Sequence, residues 1–423
     1  ALQRPITWAT PAFRTVRETV QVRAQLSGQD GSIDSSLSEA TLFVNGAPQP
    51  VTVFAGTATP EVDLQMGENL LVLEATIQGD LFASDTLRLT RRIHPLDLVY
   101  VEPDVQGAGG SFQVTLMPTD IAPGDLTVEW ALDTLATTAE LMGLTFAGLS
   151  ASGAAGPGEI YLEALASGGA EEAVVRRIAV IVEDDGAVRE MAYEETPAWV
   201  DRAVVYEIFP LSFGPQATGT PANPGRRFEE ITAELDYIAD MGFTVLWFMP
   251  IMHNQFMDPI SGGYNIIDFY NVDPKLGTND DIKALVVRAH ELGLKVILDI
   301  TPNHASPIHP WVDALKTAGS ATPPGSYIQV EPSNHDRGLD GRGPNLPEVW
   351  QASAGADLYR KYDGFGDLAN LNWDDDDLQA EFLDILAHWV EEFDIDGWRF
   401  DVYWGPWRRY GPERFGGPIR THM

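Results

Sequence analysis

The sequence has 423 residues and a mass of 46.3 kDa, a length that predicts about three domains at roughly 150 residues each. Its hydrophobic fraction of 44% is sufficient for full cores and excludes collagen, wholesale disorder and a coiled-coil rod. The net charge of −35 disfavours nucleic acid and anionic membrane surfaces as partners, because like charges repel, and it leaves neutral substrates open. Cysteine is absent, which excludes disulfides, thiolate catalysis and cysteine-ligated metal sites.

Two features of the sequence bear on its location. Apolar runs stay well short of the ~20 residues that a membrane-spanning helix needs. The sequence starts Ala1-Leu2-Gln3 without a basic and apolar leader, so we expect a signal peptide to have been removed already or never to have belonged to this sequence. An acidic, cysteine-free chain fits secretion, and the expectation is an extracellular or periplasmic protein.

The first 190 residues or so carry β patterns. Short β-rich runs such as 40–44 and 69–75, separated by turns such as Asn45-Gly46, predict an immunoglobulin-like sandwich over residues 1–95. Alternation in 112–116 and an apolar run at 174–182 predict a second sandwich over residues 96–195. We expect these modules to bind polysaccharide or to space a catalytic domain from a surface.

The pattern changes at Pro197, after which strands and helices alternate. Such alternation predicts a parallel sheet with right-handed crossovers, so residues 196–423 are expected to form a partial (β/α)8 TIM barrel. More than 70 residues separate the third strand from the next helix, which predicts a subdomain inserted at about 305–370. The predicted strands are 203–209, 244–249, 295–300 and 398–403, and the predicted helices are 228–241, 280–292 with Asn279 as its cap, and 378–393.

The strongest chemical signal is an arginine and an aspartate on the fourth predicted strand. Arg399 and Asp401 are two residues apart, so their side chains leave the same face of that strand. A neighbouring guanidinium is expected to lower the pKa of the carboxylate by about 1–3 units, which favours the ionised form that attack on an anomeric carbon requires. The alternative is a structural ion pair at the mouth of the barrel.

Three further residues at strand ends are candidates for binding. His304 is suited to bonding a sugar hydroxyl or a metal, and Asn303 offers a carbonyl oxygen suited to calcium. Tyr264 is suited to stacking on a sugar ring. Loop hydrogen bonding for the first two and ordinary packing for the tyrosine are the alternatives, and the joint occurrence of these residues after successive strands favours a site.

Taken together, these segments resemble the alpha-amylase family of glycoside hydrolases (family thirteen) over about residues 197–423. Four ordered motifs with matching strand placement make the resemblance specific. They are Val205-Tyr206-Glu207-Ile208-Phe209, Gly263-Tyr264 with Asp268-Phe269-Tyr270 and Asp273-Pro274, Asp299 with Asn303-His304, and Gly397-Trp398-Arg399-Phe400-Asp401, with Leu371-Asn372-Trp373 similar to the family's stretch before the third helix.

The resemblance implies a TIM barrel that cleaves α-glucosidic bonds of starch-like glucans or maltooligosaccharides with retention of configuration. It implies that Asp401 is the nucleophile, that Arg399 is its charge partner and that Asp299 is a structural acid beneath the substrate.

The same resemblance implies the binding residues. His304 is expected to bond the glucose in the cleavage subsite, Tyr264 to stack on it, and Asn303 to ligate calcium. Val402-Tyr403-Trp404-Gly405 stands where many members have a Lys-His pair, which weakens the expectation of calcium.

The second catalytic carboxylate that a retaining mechanism needs has no counterpart in this sequence. The family places a Glu at the end of strand five and an Asp preceded by His after strand seven, and only four strands are predicted here. Glu413 follows Asp401 too closely to end a fifth strand, so we expect it on a surface loop or at the start of a helix. The expectation is an inactive fragment whose general acid lies beyond Met423.

Two rival functions stay open at this stage. One is a non-catalytic carbohydrate-binding or adhesion protein with a degenerate barrel, and the other is a transglycosylase of the same family. The choice between α-1,4 and α-1,6 bonds, calcium dependence and oligomeric state do not follow from the sequence.

Overall fold

The computed structural model describes residues 5–27, 37–92, 101–118, 123–134, 136–168, 174–191, 196–213, 227–257, 262–330, 349–351, 358–360 and 368–402. Tyr403, Trp404, Gly405 and Glu413 therefore lie outside the described residues. None of the helices in the described part of the chain is long and apolar enough to cross a membrane.

The first 92 residues form antiparallel β structure around one core. Nine strands form one sheet. Eight of them follow the order β1-β4-β7-β6-β5-β9-β11-β2, and the ninth, β10, pairs with β9 beside this path. Strands β3 and β8 form a separate two-stranded sheet. The one parallel contact in that path joins β11 and β2. The strands are β1 Ile6–Trp8, β2 Phe13–Thr15, β3 Thr19–Gln21, β4 Ala24–Leu26, β5 Glu39–Val44, β6 Ala47–Phe54, β7 Thr57–Ala58, β8 Glu61–Asp63, β9 Gly67–Ile77, β10 Asp80–Ala83 and β11 Leu87–Arg91.

The second region consists of two four-stranded sheets that share a core. The sheets have the orders β12-β13-β16-β15 and β14-β17-β18-β19, and apolar side chains from both enter one cluster. The apolar run expected to be a strand is β18. The immunoglobulin-like class of both regions and their predicted boundaries stay predictions. The strands are β12 Val101–Ala108, β13 Ser111–Pro118, β14 Leu126–Asp133, β15 Leu141–Ala147, β16 Ser150–Ala155, β17 Gly158–Gly168, β18 Val174–Val182 and β19 Val188–Glu190.

A parallel four-stranded sheet forms the third region. Its order β20-β21-β24-β29 follows the chain, and every contact between neighbours is parallel, as expected for the front half of a β/α barrel. The strands are β20 Val205–Ile208, β21 Val245–Phe248, β24 Lys295–Ile300 and β29 Gly397–Phe400, and the helices are α1 Ala198–Asp201, α2 Arg227–Thr232, α3 Leu235–Asp240, α4 Asn279–Glu291, α5 Pro310–Ala318 and α6 Asp376–Phe393.

Two predicted helices differ from those in the structure. The helix expected over 228–241 is split into α2 and α3, because the Glu234 amide bonds the Ile231 carbonyl at 2.9 Å, one residue closer than in an α-helix. The cap of α4 is Thr278 rather than Asn279. Its hydroxyl accepts from the Asp281 amide while the Asp281 carboxylate accepts from the Thr278 amide, which is a capping box.

Additional short elements follow β21 and β24. A hairpin of β22 Met252–Asn254 and β23 Ile266–Val272 comes after β21, and sequence patterns did not predict it. The region predicted as an insertion contributes α5 and four short strands in its described parts. These strands are β25 His304–Ala305, β26 Val349–Gln351, β27 Leu358–Arg360 and β28 Ala369–Asn370.

The first all-β region contacts the start of α6 through one segment. Arg17 Nε lies 2.9 Å from Asp377 Oδ2, and Arg17 Nη2 lies 2.5 Å from Asp375 Oδ2. The Thr15 hydroxyl and the Val16 amide also donate to Asp377, at 3.0 and 2.5 Å. Because Asp375 caps α6 through its other oxygen, this contact lies at the start of the helix that leads into β29.

The same face of α6 meets two more arginines. Arg14 Nη1 lies 2.8 Å from Asp384 Oδ2. Arg92, which is 4% exposed, contacts Asp384 and approaches Glu381 at 3.5 Å. The acidic face of α6 is therefore covered by basic residues of the first region, an arrangement that a freely tethered spacer does not require.

At the opposite end of the barrel strands, a charge network holds the entry to β29. Asp396 Oδ2 lies 2.7 Å from His290 Nε2 and accepts the Val296 amide at 2.8 Å, while its Oδ1 lies 2.8 Å from Lys295 Nζ. Burial alone lowers the pKa of His290, but hydrogen bonds to Asp394 and Asp396 outweigh it and raise that pKa to about 9. The network joins α4, β24 and the turn before β29.

This network predicts a loss of stability at alkaline pH. Since the folded pKa of His290 exceeds its unfolded value near 6.5, its contribution of about 3 kcal/mol is fully present below pH ~6.5 and is lost as pH rises through 9. Urea unfolding between pH 6 and 10 should show this decline in the wild type and a flatter profile in His290→Gln. The variant His253→Gln, outside the network, should keep the wild-type slope; parallel curves for all three proteins would contradict the assignment.

Candidate active site at the carboxyl ends of the barrel strands

The polar residues at the ends of β24 and β29 meet because the two strands are in register. Asp299 lies opposite Arg399 in the parallel ladder, and the Asp401 amide donates to the Ile300 carbonyl at 2.8 Å. Side chains two residues apart on a strand share a face, so Arg399 and Asp401 project together from β29 toward Asp299. Neighbouring strands thus place two carboxylates around one guanidinium.

Arg399 bridges the two carboxylates. Its Nη1 lies 2.9 Å from Asp299 Oδ2, 3.2 Å from Asp299 Oδ1 and 2.7 Å from Asp401 Oδ1. The Asp299 side chain is 0% exposed, whereas that of Asp401 is 24% exposed. Of the two carboxylates on Arg399, Asp401 is the one that a ligand can reach.

Tyr264 joins the cluster through its hydroxyl. It donates to Asp299 Oδ2 at 3.0 Å, and burial followed by the charge of Asp299 raises the pKa of Tyr264 far above its usual value. The preceding turn depends on Gly263, where φ is +86° and a Cβ would lie 2.7 Å from the Pro250 carbonyl oxygen. Tyr264 therefore stays protonated and acts as a hydrogen-bond donor within the site.

The electrostatics of Asp299 follow from its burial. Burial raises the pKa of Asp299 to about 6, with Arg399 and the Tyr264 hydroxyl opposing the rise and Asp401 adding to it. Above pH 6 the carboxylate is ionised and holds the guanidinium firmly. Below pH 6 its protonation weakens that ion pair, so the geometry of Arg399 depends on pH.

Asn303 and His304 lie beside this cluster. His304 pairs with Asn370 in the ladder between β25 and β28, and the Asn303 Nδ2 atom lies 3.3 Å from His304 Nδ1 and 3.3 Å from Asn370 Oδ1. Burial lowers the pKa of His304 to about 4, opposed by a hydrogen bond with the Tyr264 backbone. The imidazole is therefore neutral at pH 7, a state suited to hydrogen bonding.

Sequence reasoning missed Trp247 on β21. The Arg399 Cζ atom lies 5.2 Å from the centroid of the Trp247 ring, within the range of a cation–π contact, and Trp247 Nε1 donates to Asp299 Oδ2 at 3.3 Å. The available signal was a tryptophan near the carboxyl end of the second predicted strand. The residue is half-buried beside the site.

Asn303 is the residue expected to ligate calcium. Among the described residues, no group of three or more His, Asp or Glu side chains lies close enough together to hold a metal ion. The side-chain neighbours of Asn303 are His304 and the amide of Asn370, whereas calcium takes six to eight oxygen ligands, including carboxylates. Calcium binding by Asn303 therefore stays a prediction.

A parallel sheet with helical crossovers and a charged cluster at its carboxyl ends defines residues 205–402 as part of a β/α-barrel catalytic domain. Residues 207–405 match the sequence model of a family described as "Alpha amylase, catalytic domain". Over these residues the chain is similar to the alpha-amylase family.

Three similar proteins illustrate the relationship. The chain is 30% identical over 221 residues to trehalose-6-phosphate hydrolase of Bacillus subtilis (strain 168), covering 50% of this chain and 36% of that protein. It is 30% identical over 210 residues to oligo-1,6-glucosidase of Bacillus sp. (strain F5), covering 48% and 38%. The solved structure of trehalulose synthase MutB from Pseudomonas mesoacidophila MX-45 has 26% identity and a TM-score of 0.41, covering 49% of this chain and 36% of that chain. The chain thus spans little more than a third of the length of these relatives.

Proposed function

We propose that this chain carries the nucleophile half of a retaining glycoside hydrolase that cleaves α-glucosidic bonds of starch-like glucans or maltooligosaccharides. The observation that supports it most is the asymmetry around Arg399. One guanidinium holds a sealed carboxylate, Asp299, at 2.9 Å and an accessible carboxylate, Asp401, at 2.7 Å. A charged carboxylate that is held in place yet reachable is what attack on an anomeric carbon requires.

In this proposal the Asp401 carboxylate oxygen forms a bond to the anomeric carbon while the glycosidic bond breaks. The leaving oxygen takes a proton from a second carboxylic acid, and that acid's conjugate base later activates the water that releases the sugar. Asp299 is unsuited to be this acid, because it is fully buried and held by Arg399 and Tyr264. We assign the acid to a residue outside the described part of the chain.

The remaining site residues bind and orient the sugar. The neutral imidazole of His304 is suited to a hydrogen bond with a glucose hydroxyl, and the Tyr264 ring is suited to contact with the sugar face. Relatives described as hydrolases, glucosidases and a maltogenic amylase support an α-glucosidic substrate. Whether water or another sugar accepts the glycosyl group is decided after Asp401 has reacted.

The experiment that tests the proposal traps the covalent intermediate. With 5-fluoro-α-D-glucosyl fluoride, fluoride leaves with its electron pair and needs little protonation, so the label depends on the nucleophile more than on the general acid. We expect mass spectrometry of the complete gene product to find one 5-fluoroglucosyl ester on the peptide that contains Asp401. The label should disappear in Asp401→Asn.

The matched control is Asp313→Asn, which changes an exposed carboxylate on α5 and should label as the wild type does. Measuring glucose release from maltooligosaccharides, with and without an added sugar acceptor, then separates hydrolysis from transfer. A label on another carboxylate, or wild-type turnover in Asp401→Asn, would overturn the assignment. A folded protein that binds maltooligosaccharide but neither labels nor turns over would instead be a binding protein.

A further inference from the structure

The two carboxylates alone do not fix the orientation of the Arg399 guanidinium. Its Nη1 atom contacts three carboxylate oxygens, two from Asp299 and one from Asp401, at 2.7 to 3.2 Å. Two parallel bonds from different nitrogens would fix the plane of a guanidinium, but contacts through one nitrogen anchor only one corner of it. With its side chain 37% exposed, Arg399 needs a further contact to define its tilt.

Trp247 supplies that contact from the neighbouring strand. Its ring lies 5.2 Å from Arg399 Cζ, and the same indole donates through Nε1 to Asp299 Oδ2 at 3.3 Å. One rigid side chain therefore touches both members of the Arg399–Asp299 ion pair. The indole is itself held by the backbone pairing of β21 with β20 and β24.

We propose that Trp247 is a positioning residue that sets the tilt of the Arg399 guanidinium and thereby the placement of the Asp401 carboxylate. This inference rests on the function proposed above. The ring face of Trp247 restrains the Arg399 cation, and its Nε1–H group restrains Asp299, the carboxylate that anchors this cation.

The hydrogen bond from Trp247 also bears on the pKa of Asp299. Burial raises the pKa of Asp299 most and Asp401 adds to the rise, while Arg399 and the Tyr264 hydroxyl oppose it. The Oδ2 atom of Asp299 also accepts from Trp247 Nε1, and a hydrogen bond to the charged form of a carboxylate acts in the same direction as these two donors. Removing the indole donor raises the pKa of Asp299 above its value of about 6. The Arg399 ion pair then weakens at a higher pH than in the wild type.

Two substitutions separate the two contacts. Trp247→Phe keeps an aromatic face and removes the donor, and Trp247→Leu removes both. For Trp247→Phe in the complete gene product we expect kcat on maltooligosaccharides to fall about 10- to 100-fold at pH 6, as for loss of one hydrogen bond to a charged group. KM should stay within a few-fold, and the acidic limb of the kcat profile should move to higher pH. Trp247→Leu should lose a further several-fold because the cation–π contact is gone.

The control is Trp389→Phe on α6, which deletes a buried indole donor whose acceptor is the carbonyl of Phe269 on β23. It should lower the melting temperature without moving the pH profile. If both Trp247 variants match the wild type in rate and pH profile while Asp401→Asn is inactive, the positioning role is overturned and the proposed function stands. Equal losses in Trp247→Phe and Trp389→Phe would reduce Trp247 to packing. Full activity in Asp401→Asn would instead refute the proposed function.

Discussion

Arg399→Met is expected to lower the free energy of unfolding by about 3–5 kcal/mol at pH 8 and to remove detectable glycosyl transfer to Asp401. The substitution leaves Asp299, which is 0% exposed, without its cation, and a buried carboxylate without a partner costs far more than an exposed one. Asp401 loses its only charged contact at 2.7 Å among the described residues, so its oxygen is no longer held toward a substrate. Urea unfolding and the trapping assay measure the two effects.

The pH dependence of this variant has a definite sign. In the wild type the folded pKa of Asp299 is about 6, above its unfolded value near 3.9, so this group lowers stability progressively as pH rises from about 4 to 6. Without Arg399 the folded pKa rises further, and the decline continues to higher pH. The variant should therefore approach wild-type stability near pH 4 and fall below it above pH 7.

The double variant Arg399→Met with Asp299→Asn is the control for stability. It removes the buried charge, so the free energy of unfolding should recover and lose this pH dependence, while glycosyl transfer stays absent because Asp401 remains without its cation. Recovery of activity in the double variant would contradict the role given to Arg399. A single variant as stable as the wild type at pH 8 would contradict the ion-pair argument.

Arg17→Met is the second large prediction, with an expected loss of about 3–5 kcal/mol in the free energy of unfolding at pH 7.5. Arg17 lies 2.5 Å from Asp375 and 2.9 Å from Asp377, whose side chains are 3% and 1% exposed, and it also donates to the Ala321 carbonyl at 3.0 Å. Burial raises the pKa of Asp377 to about 6, opposed by the Val16 amide and by Arg17. Removing the arginine should raise that pKa further.

The loss should be visible as separation of the first all-β region from the barrel. We expect urea unfolding of Arg17→Met to divide into two transitions, and the cost to be smaller at pH 5, where Asp377 takes up a proton. Arg88→Met is the matched control, because its pair with Glu68 joins side chains 59% and 52% exposed and should contribute less than about 1 kcal/mol. Equal, small effects for the two variants would mean that the interface does not depend on Arg17.

The first all-β region contacts helix α6 of the barrel directly. Sequence patterns suggested a polysaccharide-binding or spacer module, because nothing in a run of alternating strands indicates what its edges touch. The structure places Arg14, Arg17 and Arg92 on the acidic face of α6, the helix that leads into the strand bearing Asp401. Isolated arginines in a β region give no local signal of an interface. Their acidic partners lie almost 300 residues away in the chain or further.

Within the barrel, the sequence predicted the four parallel strands, helices α4 and α6 and the candidate cluster, but not α1 or α5. Strand β24 coincides with its prediction, because an apolar run of six residues that follows a glycine-terminated amphipathic helix has few alternatives. Residues two apart on a strand must share a face, which placed Arg399 beside Asp401. The split between α2 and α3 and the hairpin of β22 and β23 were missed, since both depend on local hydrogen bonds that periodicity does not encode.

The sequence by itself determined the candidate site residues and the family that residues 207–405 match, because ordered motifs at strand ends are a local property of the chain. Only the tertiary structure decided that Asp299 is sealed while Asp401 is reachable, that Tyr264 donates to Asp299, and that Trp247 lies over Arg399. The physical reason is that burial and hydrogen bonding between strands depend on register and on neighbours distant in the chain. These same factors set the pKa of Asp299 and the position of Asp401 against Arg399.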